Sequence, residues 1–389
     1  MILVNATDKY QIIRAPSQTV KKTSTKRKFD FFFGIFKLLY LFGLDIGGKK
    51  SKKATVKNCL SVFNLRAAMF HLVCVNLTYS MFLYDFRKTE KTVRKVSLVR
   101  KVPELFTFLL WYSVYYKRNS IKNLMSRIHH VNQELSLSTT TAVTVTGFAA
   151  ILVIFIVAPL SILLFESEET LLFYTEYYNF GVRTFGAGVN YAVTVPTIFA
   201  YYFYIFTFPA CVCVLYSALC LTLKRALVAH ASLARAEFAG LRKRHLLSIS
   251  GRYGRILGLV EHFEDALSLV AFFLSFHYFI CVFYFLNIYQ SHQESSPYAK
   301  YVFYGLYGIV SYVGMAMFAS SVTEADRAAR RANRDLFRRA HPGGGEGQST
   351  DPERAFALTG WGCFTFTKSF ILAAFGSILT YTLLLMQLD

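Results

Sequence analysis

Long apolar segments separated by basic ones limit what this chain can fold into. A helix needs about 20 apolar residues to cross the roughly 30 Å of hydrocarbon in a bilayer. Seven segments approach or exceed that length, and we take each as a candidate span: 62–84, 102–116, 141–165, 189–223, 257–289, 301–322 and 369–388. Runs of this length favour helices, which satisfy their own backbone in lipid. The sequence therefore predicts an all-α, seven-transmembrane helix bundle, multi-pass in the plasma membrane.

The strongly basic charge does not indicate a nucleic-acid partner. The 389 residues are 54% hydrophobic and carry a formal charge of +20. Lys and Arg lie between the apolar runs and outside any zinc-finger, homeodomain or RRM pattern. The first 30 residues lack the apolar core of a signal peptide, so we expect the first span to direct its own insertion. Membrane lipid is the expected surrounding.

The distribution of basic residues predicts the orientation, because basic loops stay in the cytoplasm. Most Lys and Arg outside the spans fall in 1–61, 117–140, 224–260 and 322–356, whereas 166–188 holds four Glu and one Arg. We therefore expect a cytoplasmic N-terminus and an extracellular C-terminus, opposite to a G-protein-coupled receptor. The basic loop 85–101 is the one exception.

These expectations divide the chain into segments. The predicted divisions are a cytoplasmic N-terminal segment 1–61 with an interfacial helix at 31–46, spans one to four in 62–223, a cytoplasmic helical loop at 224–256, spans five and six in 257–322, a segment 323–368 containing a basic helix, a Gly-rich linker and the start of the seventh helix, and the rest of that helix at 369–389. Spans four and five exceed the bilayer thickness as continuous helices, so we expect them to project into the cytoplasm as a hairpin.

Two further local features concern individual helices. Pro196 and Pro209 predict kinks in span four. Asp326 precedes Arg330 by four residues, which favours a solvated helix.

The chain lacks the sequence patterns of common catalytic and metal sites. HExxH, GxSxG and paired CxxC are absent, and we expect no enzyme, cofactor or metal site. Cys211 and Cys213 would point to opposite sides of a helix, as small buried hydrophobes do. His277, in the middle of span five, is either a core histidine with a protein partner or a ligand contact. The first interpretation is favoured, since an intramembrane polar group needs a partner whatever its function.

The last span carries a narrow, partly polar stripe. At 100° per residue, Ser377, Thr380 and Gln387 share one side of the helix with Ala373 and Leu384. A stripe of small and polar residues can face a pore or a close helix contact. Helical geometry alone leaves both interpretations open.

The end of this span resembles a family signature. The stretch from Thr380-Tyr381 to Gln387-Leu388 is similar to the C-terminal motif of the arthropod gustatory receptors: Thr-Tyr, five mostly apolar residues, Gln, then Phe. Leu388 replaces the Phe, and Thr382 is only partly apolar. The short amphipathic opening segment, the inside N-terminus and the basic linker before the last helix agree with the family's layout.

The resemblance implies a chemosensory taste receptor that acts as a ligand-gated, non-selective cation channel. Its partners would be a small-molecule tastant, permeating cations, and either three more copies of the chain or related subunits. Four copies of the last helix would line a central pore. The pore and gate residues would be Ser377, Thr380, Leu384, Gln387 and Leu388, with Tyr381 supporting the helix. Separately from the resemblance, we infer that the carboxylate of Asp389, just beyond Gln387, joins this set and favours cations at the mouth.

The family plan also implies a ligand pocket among the outer halves of spans two to six. Tyrosine suits such a site because it combines an apolar face with a hydroxyl. The candidate residues are Asn190, Tyr191, Tyr201, Tyr202, His277, Tyr278, Tyr284, Asn287, Tyr304 and Tyr307. The alternative role of each tyrosine is packing or anchoring at the membrane interface.

Two other classes of membrane protein remain as alternatives. A G-protein-coupled receptor would need an outside N-terminus and Asp-Arg-Tyr and Asn-Pro-x-x-Tyr motifs, which are absent at the corresponding span ends. A transporter would place ionisable residues inside several spans. Arg66, His71 and His277 are the main examples.

Overall fold

The structure is a computed structural model, and it describes most of the apolar part of the chain. Described residues are 30–46, 56–88, 102–135, 187–238, 243–290, 298–340 and 356–388, with short pieces between 146 and 160 and residue 176. The expected third span, the glutamate-rich loop 166–188 and the linker at 341–355 therefore lie mainly outside the described residues.

Eight α-helices are described, with two short strands. The helices are α1 (Asp30–Leu41), α2 (Val56–Lys88), α3 (Val102–Glu134), α4 (Ala187–Tyr201), α5 (Phe208–Phe238), α6 (Lys243–Gln290), α7 (Tyr298–Ala340) and α8 (Lys368–Leu388), with π-helical segments at Val153–Val157 and Tyr202–Thr207. Strands β1 (Thr359–Gly360) and β2 (Phe364–Thr365) pair antiparallel between α7 and α8.

Helices α3, α5, α6 and α7 pack together as the centre of the bundle. Aromatic side chains fill it, including Phe206, Tyr216, Tyr278 and Tyr312, all essentially inaccessible to solvent. Helix α1 covers one side of this bundle. Its Leu39 and the following Phe42 are fully buried, and the Trp111 indole on α3 donates to the Phe42 carbonyl at 2.8 Å. The amphipathic opening segment thus packs its apolar face on protein.

Three helical stretches are long and apolar enough to cross a membrane within the described residues. They are Thr194–Ala236, Gly251–Leu286 and Val302–Leu336, and the shorter Lys368–Tyr381 is apolar as well. Helices α2 and α3 cover the first two predicted spans. Helix α6 has 48 residues, about 70 Å at 1.5 Å per residue, which is more than twice the hydrocarbon thickness. Helix α6 is therefore longer than a membrane is thick, and the cytoplasmic hairpin of α5 and α6 stays a prediction.

Pro209 coincides with a change of helix geometry. The backbone N–H of Phe208 bonds to Phe203 O, five residues back, in the π-helical segment that precedes the proline. Because Pro209 has no N–H, it cannot bond to the carbonyl of Ile205. The irregularity predicted for span four is therefore a π-helical turn. Pro196 lies within α4.

The segment before the last helix contains a β-hairpin that the sequence analysis did not predict. Residues 359–365 form the hairpin, and α8 begins at Lys368, the last residue of the predicted segment 323–368. The turn places Trp361 and Gly362 at φ of 51° and 71°, a left-handed conformation that glycine adopts without strain. Gly360 and Gly362 therefore mark a turn where composition alone resembled the start of an apolar helix.

The contact between α6 and α7 predicts different effects for two glycine substitutions. A Cβ at Gly308 would lie 2.8 Å from the Tyr278 carbonyl oxygen, whereas a Cβ at Gly314 would meet nothing within 4 Å. We expect Gly308→Ala to lower the free energy of unfolding by about 2 kcal/mol through overpacking. Gly314→Ala should be neutral or slightly stabilising, because alanine favours the helix. Thermal unfolding of the purified variants in detergent measures both; equal melting temperatures would contradict the close helix contact.

Candidate functional site

A buried carboxylate joins three helices at one end of the bundle. The Tyr201 hydroxyl donates to Glu104 Oε1 at 3.0 Å, and it lies 2.6 Å from the Tyr304 hydroxyl. Glu104 is 2% exposed, and both tyrosines are similarly buried. Glu104 lies in the first turn of α3, where the helix dipole favours a negative charge. The first turn of α3, the second turn of α7 and the end of α4 thus meet at one level.

The π-helical segment offers backbone acceptors next to this carboxylate. The Ile205 carbonyl, to which Pro209 cannot donate, lies 3.4 Å from the Thr107 hydroxyl, whose nearer acceptor is Pro103 O at 3.0 Å. The Tyr307 hydroxyl donates to Phe206 O at 3.1 Å, and the Tyr278 hydroxyl donates to Pro209 O at 3.3 Å. Side chains from α3, α6 and α7 therefore converge on one irregular stretch of backbone.

His277 lies fully buried within the same cluster. Its Nδ1 is 3.3 Å from the Pro103 carbonyl oxygen and 3.4 Å from the Thr107 hydroxyl. Its Nε2 is 3.5 Å from the Tyr307 hydroxyl. A neutral ring with its proton on Nδ1 donates to Pro103 O and leaves Nε2 as an acceptor. The interpretation of His277 as a core histidine with protein partners therefore agrees with its geometry, although it lies at the centre of the polar cluster.

The structure brings most of the candidate pocket residues together. We call the group formed by Glu104, Thr107, Tyr201, His277, Tyr304 and Tyr307 the polar cluster. Tyr284 lies beside it with its ring 5.1 Å from that of Tyr304, and Tyr202 packs edge-on against Tyr201. Tyr278 contacts Tyr307. The side chains of Asn190, Tyr191 and Asn287 lie outside the described residues.

Glu104 and Thr107 were missed by the sequence analysis. The signal was present, because Glu104 is a lone acid in the apolar stretch VPELFTFLLWY. An ionisable residue in such a run indicates a functional or paired group. Glu104 was not recognised as a candidate because it lies near the start of span two, and charged residues are common at the ends of spans.

Helix α8 has one face on the bundle and one face away from it. Ile371 is buried, and the Phe375 ring lies 5.9 Å from that of Tyr312 on α7. On the opposite side Ser377 and Thr380 are exposed, and Leu384 is 50% exposed. Tyr381 is exposed as well. The side chains of Gln387 and Leu388, and all of Asp389, lie outside the described residues.

A groove separates the second half of α8 from α6. Its volume is about 380 Å³, and its lining residues are Phe276, Phe279, Ile280 and Phe283 on α6 and Ser377, Ile378 and Tyr381 on α8. The lining is apolar, so only dispersion and burial of carbon surface hold the two helices together at this level. This half of α8 is loosely packed against its own chain.

Arg66 and His71, which the sequence analysis named beside His277, contact aromatic side chains. The Arg66 guanidinium lies 4.0 Å from the centre of the Tyr40 ring on α1. His71 Nδ1 lies 2.6 Å from Ala67 O, and Nε2 lies 3.0 Å from the Tyr112 hydroxyl. These contacts agree with structural roles and give the transporter alternative no ion pathway among these residues.

A long-helix bundle with apolar spans, a buried polar cluster and an outward-facing last helix defines the class as an all-α membrane receptor. A family model described as "Trehalose receptor" matches residues 31–389. The chain belongs to this family of insect gustatory receptors, which confirms the family resemblance and the prediction that it is not an enzyme.

Solved structures show the same fold. The insect olfactory receptor OR5 from Machilis hrabei superposes with a TM-score of 0.60 at 13% identity, covering 92% of this chain and 98% of that chain. The same receptor in complex with eugenol gives 0.61 at 14% identity, covering 93% and 100%. The all-α bundle fold is thereby confirmed. No curated protein matches the chain.

Proposed function

We propose that this receptor is a ligand-gated, non-selective cation channel of the plasma membrane. The N-terminus lies in the cytoplasm and the C-terminus outside, as the basic loops predict. Four subunits, either four copies of this chain or this chain with related receptors, surround a pore lined by α8. The motif residues Gln387 and Leu388 form the outer constriction, with Asp389 at the mouth and Leu384, Thr380 and Ser377 below.

The exposed face of α8 is the observation that carries this proposal. Thr380 and Leu384 lie on the side opposite to Ile371 and Phe375, which pack on the bundle. Ser377 lies at the edge of this side, where it also lines the groove toward α6. The Thr380 hydroxyl donates to Gly376 O at 2.8 Å, so its proton is satisfied within the helix and its lone pairs can accept hydrogen bonds from water in a hydrated lumen. The stripe therefore suits a pore wall.

The polar cluster is the proposed ligand site. The Glu104 carboxylate and the hydroxyls of Tyr201, Tyr304 and Tyr307 supply acceptors and donors among aromatic faces, which is what a polyhydroxylated small molecule requires. The family description names a trehalose receptor, so a sugar is the first ligand to test. In this structure Glu104 Oε1 accepts from Tyr201, whose hydroxyl also contacts Tyr304, and a ligand would replace those contacts.

A pair of tyrosine variants tests the site. We expect Tyr304→Phe to raise the half-maximal concentration of the activating sugar about tenfold, because it deletes the hydroxyl 2.6 Å from Tyr201. Tyr312→Phe is the matched control, since Tyr312 is equally buried on α7 and its hydroxyl has no partner among the described residues. Whole-cell recording with trehalose, other sugars, amino acids and bitter compounds gives the measurement.

Three outcomes of this recording are informative. A cation current that Tyr304→Phe weakens and Tyr312→Phe leaves unchanged supports both the channel and the site. A current equally sensitive to both variants would contradict the polar cluster as the ligand site. Surface-expressed wild-type protein without current under any compound, alone or with related subunits, would contradict the channel.

A further inference from the structure

The β-hairpin before α8 is attached to α6 by a carboxylate. The backbone N–H of Thr359 lies 3.1 Å from both oxygens of Glu264, and the Thr359 hydroxyl donates to the same carboxylate. One turn further along α6, the Ser268 carbonyl accepts the backbone N–H of Trp361 at 3.1 Å. A hydrogen bond to a charged acceptor is among the stronger kinds. The hairpin is therefore held to α6 through its first strand and its turn.

A second carboxylate holds the chain just before the hairpin. Asp326 on α7 is fully buried and accepts the backbone N–H of Phe356 at 3.1 Å. The same carboxylate pairs with Arg330 at 2.8 Å and accepts the Tyr253 hydroxyl of α6 at 3.2 Å. At the end of the segment, Lys368 pairs with Glu324 at 2.7 Å. Polar contacts to α6 and α7 thus flank the hairpin on both sides.

Apolar contacts complete the attachment. Leu358 and Phe366 are fully buried, and the Phe366 ring lies 6.3 Å from that of Tyr216 on α5. Phe272 on α6 packs edge-on against Trp361 at 5.5 Å and stacks with Phe364 at 6.2 Å. The base of α8 is therefore fixed to α5, α6 and α7.

The C-terminal half of α8 is held less tightly than its N-terminal end, which we call its base. Along residues 377–381 the apolar groove of about 380 Å³ separates α8 from α6, the helix to which the hairpin is bonded. A helix bonded firmly at one end and flanked by a groove at the other can tilt about its base. A shift of α6 acts on α8 mainly through the hairpin.

We propose that the hairpin 359–365 couples α6 to the pore helix, with Thr359 and Glu264 as the positioning residues that hold the two together. Helix α6 carries His277 of the polar cluster about 20 Å beyond Glu264, at 1.5 Å per residue. A ligand that rearranges the polar cluster displaces α6, and the Thr359–Glu264 contact carries that displacement to the base of α8. The coupling rests on the proposed channel function, but the hydrogen bonds themselves can be tested without it.

The threonine offers a matched pair of variants. Thr359→Val keeps the shape and removes the hydroxyl that bonds to Glu264, whereas Thr359→Ser keeps the hydroxyl. Two measurements are made on the full-length chain: hydrogen–deuterium exchange of residues 356–366 in purified protein, and single-channel recording of open probability, unitary conductance and relative cation permeability. Glu264→Gln is the reciprocal variant, since an amide oxygen still accepts one N–H but has no negative charge.

The expected results separate coupling from mere stability. In Thr359→Val and Glu264→Gln, exchange of the hairpin accelerates and open probability changes about tenfold or more, while unitary conductance and permeability stay within twofold of wild type. In Thr359→Ser, the exchange rate and the open probability stay close to those of the wild type. Faster exchange with unchanged open probability would overturn the coupling, as would unchanged exchange. Absence of unitary currents in the wild type would instead contradict the channel function, and the coupling with it.

Discussion

Replacing Asp326 with alanine should lower the free energy of unfolding by about 3–5 kcal/mol, the range measured when one partner of a buried ion pair is removed. The variant takes away the acceptor of three donors, the Tyr253 hydroxyl, the Arg330 guanidinium and the Phe356 backbone N–H. The Arg330 side chain is only 13% exposed, so water cannot readily replace the carboxylate. Such a loss is a large fraction of the stability of a typical folded domain.

The melting temperature of the purified protein in detergent measures this effect. Asp335→Ala is the control, because Asp335 lies on the same helix and is exposed, and exposed substitutions usually change stability by less than about 0.5 kcal/mol. Similar melting temperatures for the two variants would contradict the buried position of Asp326. The difference in melting temperature between Asp326→Ala and Asp335→Ala also measures how strongly α7 holds the segment before the hairpin.

Cysteine at position 380 should make the current sensitive to a cationic thiol reagent. Thr380 lies on the exposed side of α8, so a charged adduct there would occupy the proposed lumen and repel cations. We expect loss of most of the current in Thr380→Cys. The background should be the double variant Cys59→Ser and Cys363→Ser, because Cys363 is exposed and the side chain of Cys59 lies outside the described residues. Cys74, Cys211, Cys213, Cys220 and Cys281 are buried.

The opposite side of the helix supplies the control for this labelling. Phe375→Cys places a thiol where the ring now packs against Tyr312, away from the proposed lumen. The reagent should leave that variant's current intact. Block of Phe375→Cys without block of Thr380→Cys would reverse the assigned faces of α8 and remove the main support for the pore.

The sequence predicted the last helix well because local signals agree there. The span expected at 369–388 is observed as Lys368–Leu388, preceded by a Gly-rich turn and built from apolar residues. The 3.6-residue period also predicted which side carries the polar stripe, and that side faces away from the bundle. Amphipathic geometry is a local property, so one segment suffices to derive it.

Contacts between distant segments were not predictable in this way. The spacing of Asp326 and Arg330 favoured a solvated helix, yet Asp326 is fully buried because Tyr253 and the chain before the hairpin pack over it. The hairpin escaped notice because two-residue strands give no period. Tyr201 and Tyr304 were both candidates, but their joint contact with Glu104 depends on how α3, α4 and α7 pack.

A pore lined by the last helix is the defining feature of the proposed cation channel. Single-channel recording from the purified chain in planar bilayers, comparing wild type with Gln387→Ala, examines this pore. We expect cation-selective unitary currents in the wild type and altered conductance or permeability ratios in the variant, because Gln387 lies at the proposed constriction. Unitary currents that are identical in the two proteins would contradict the pore assignment, and purified protein that conducts no ions with the activating compound would contradict the channel itself.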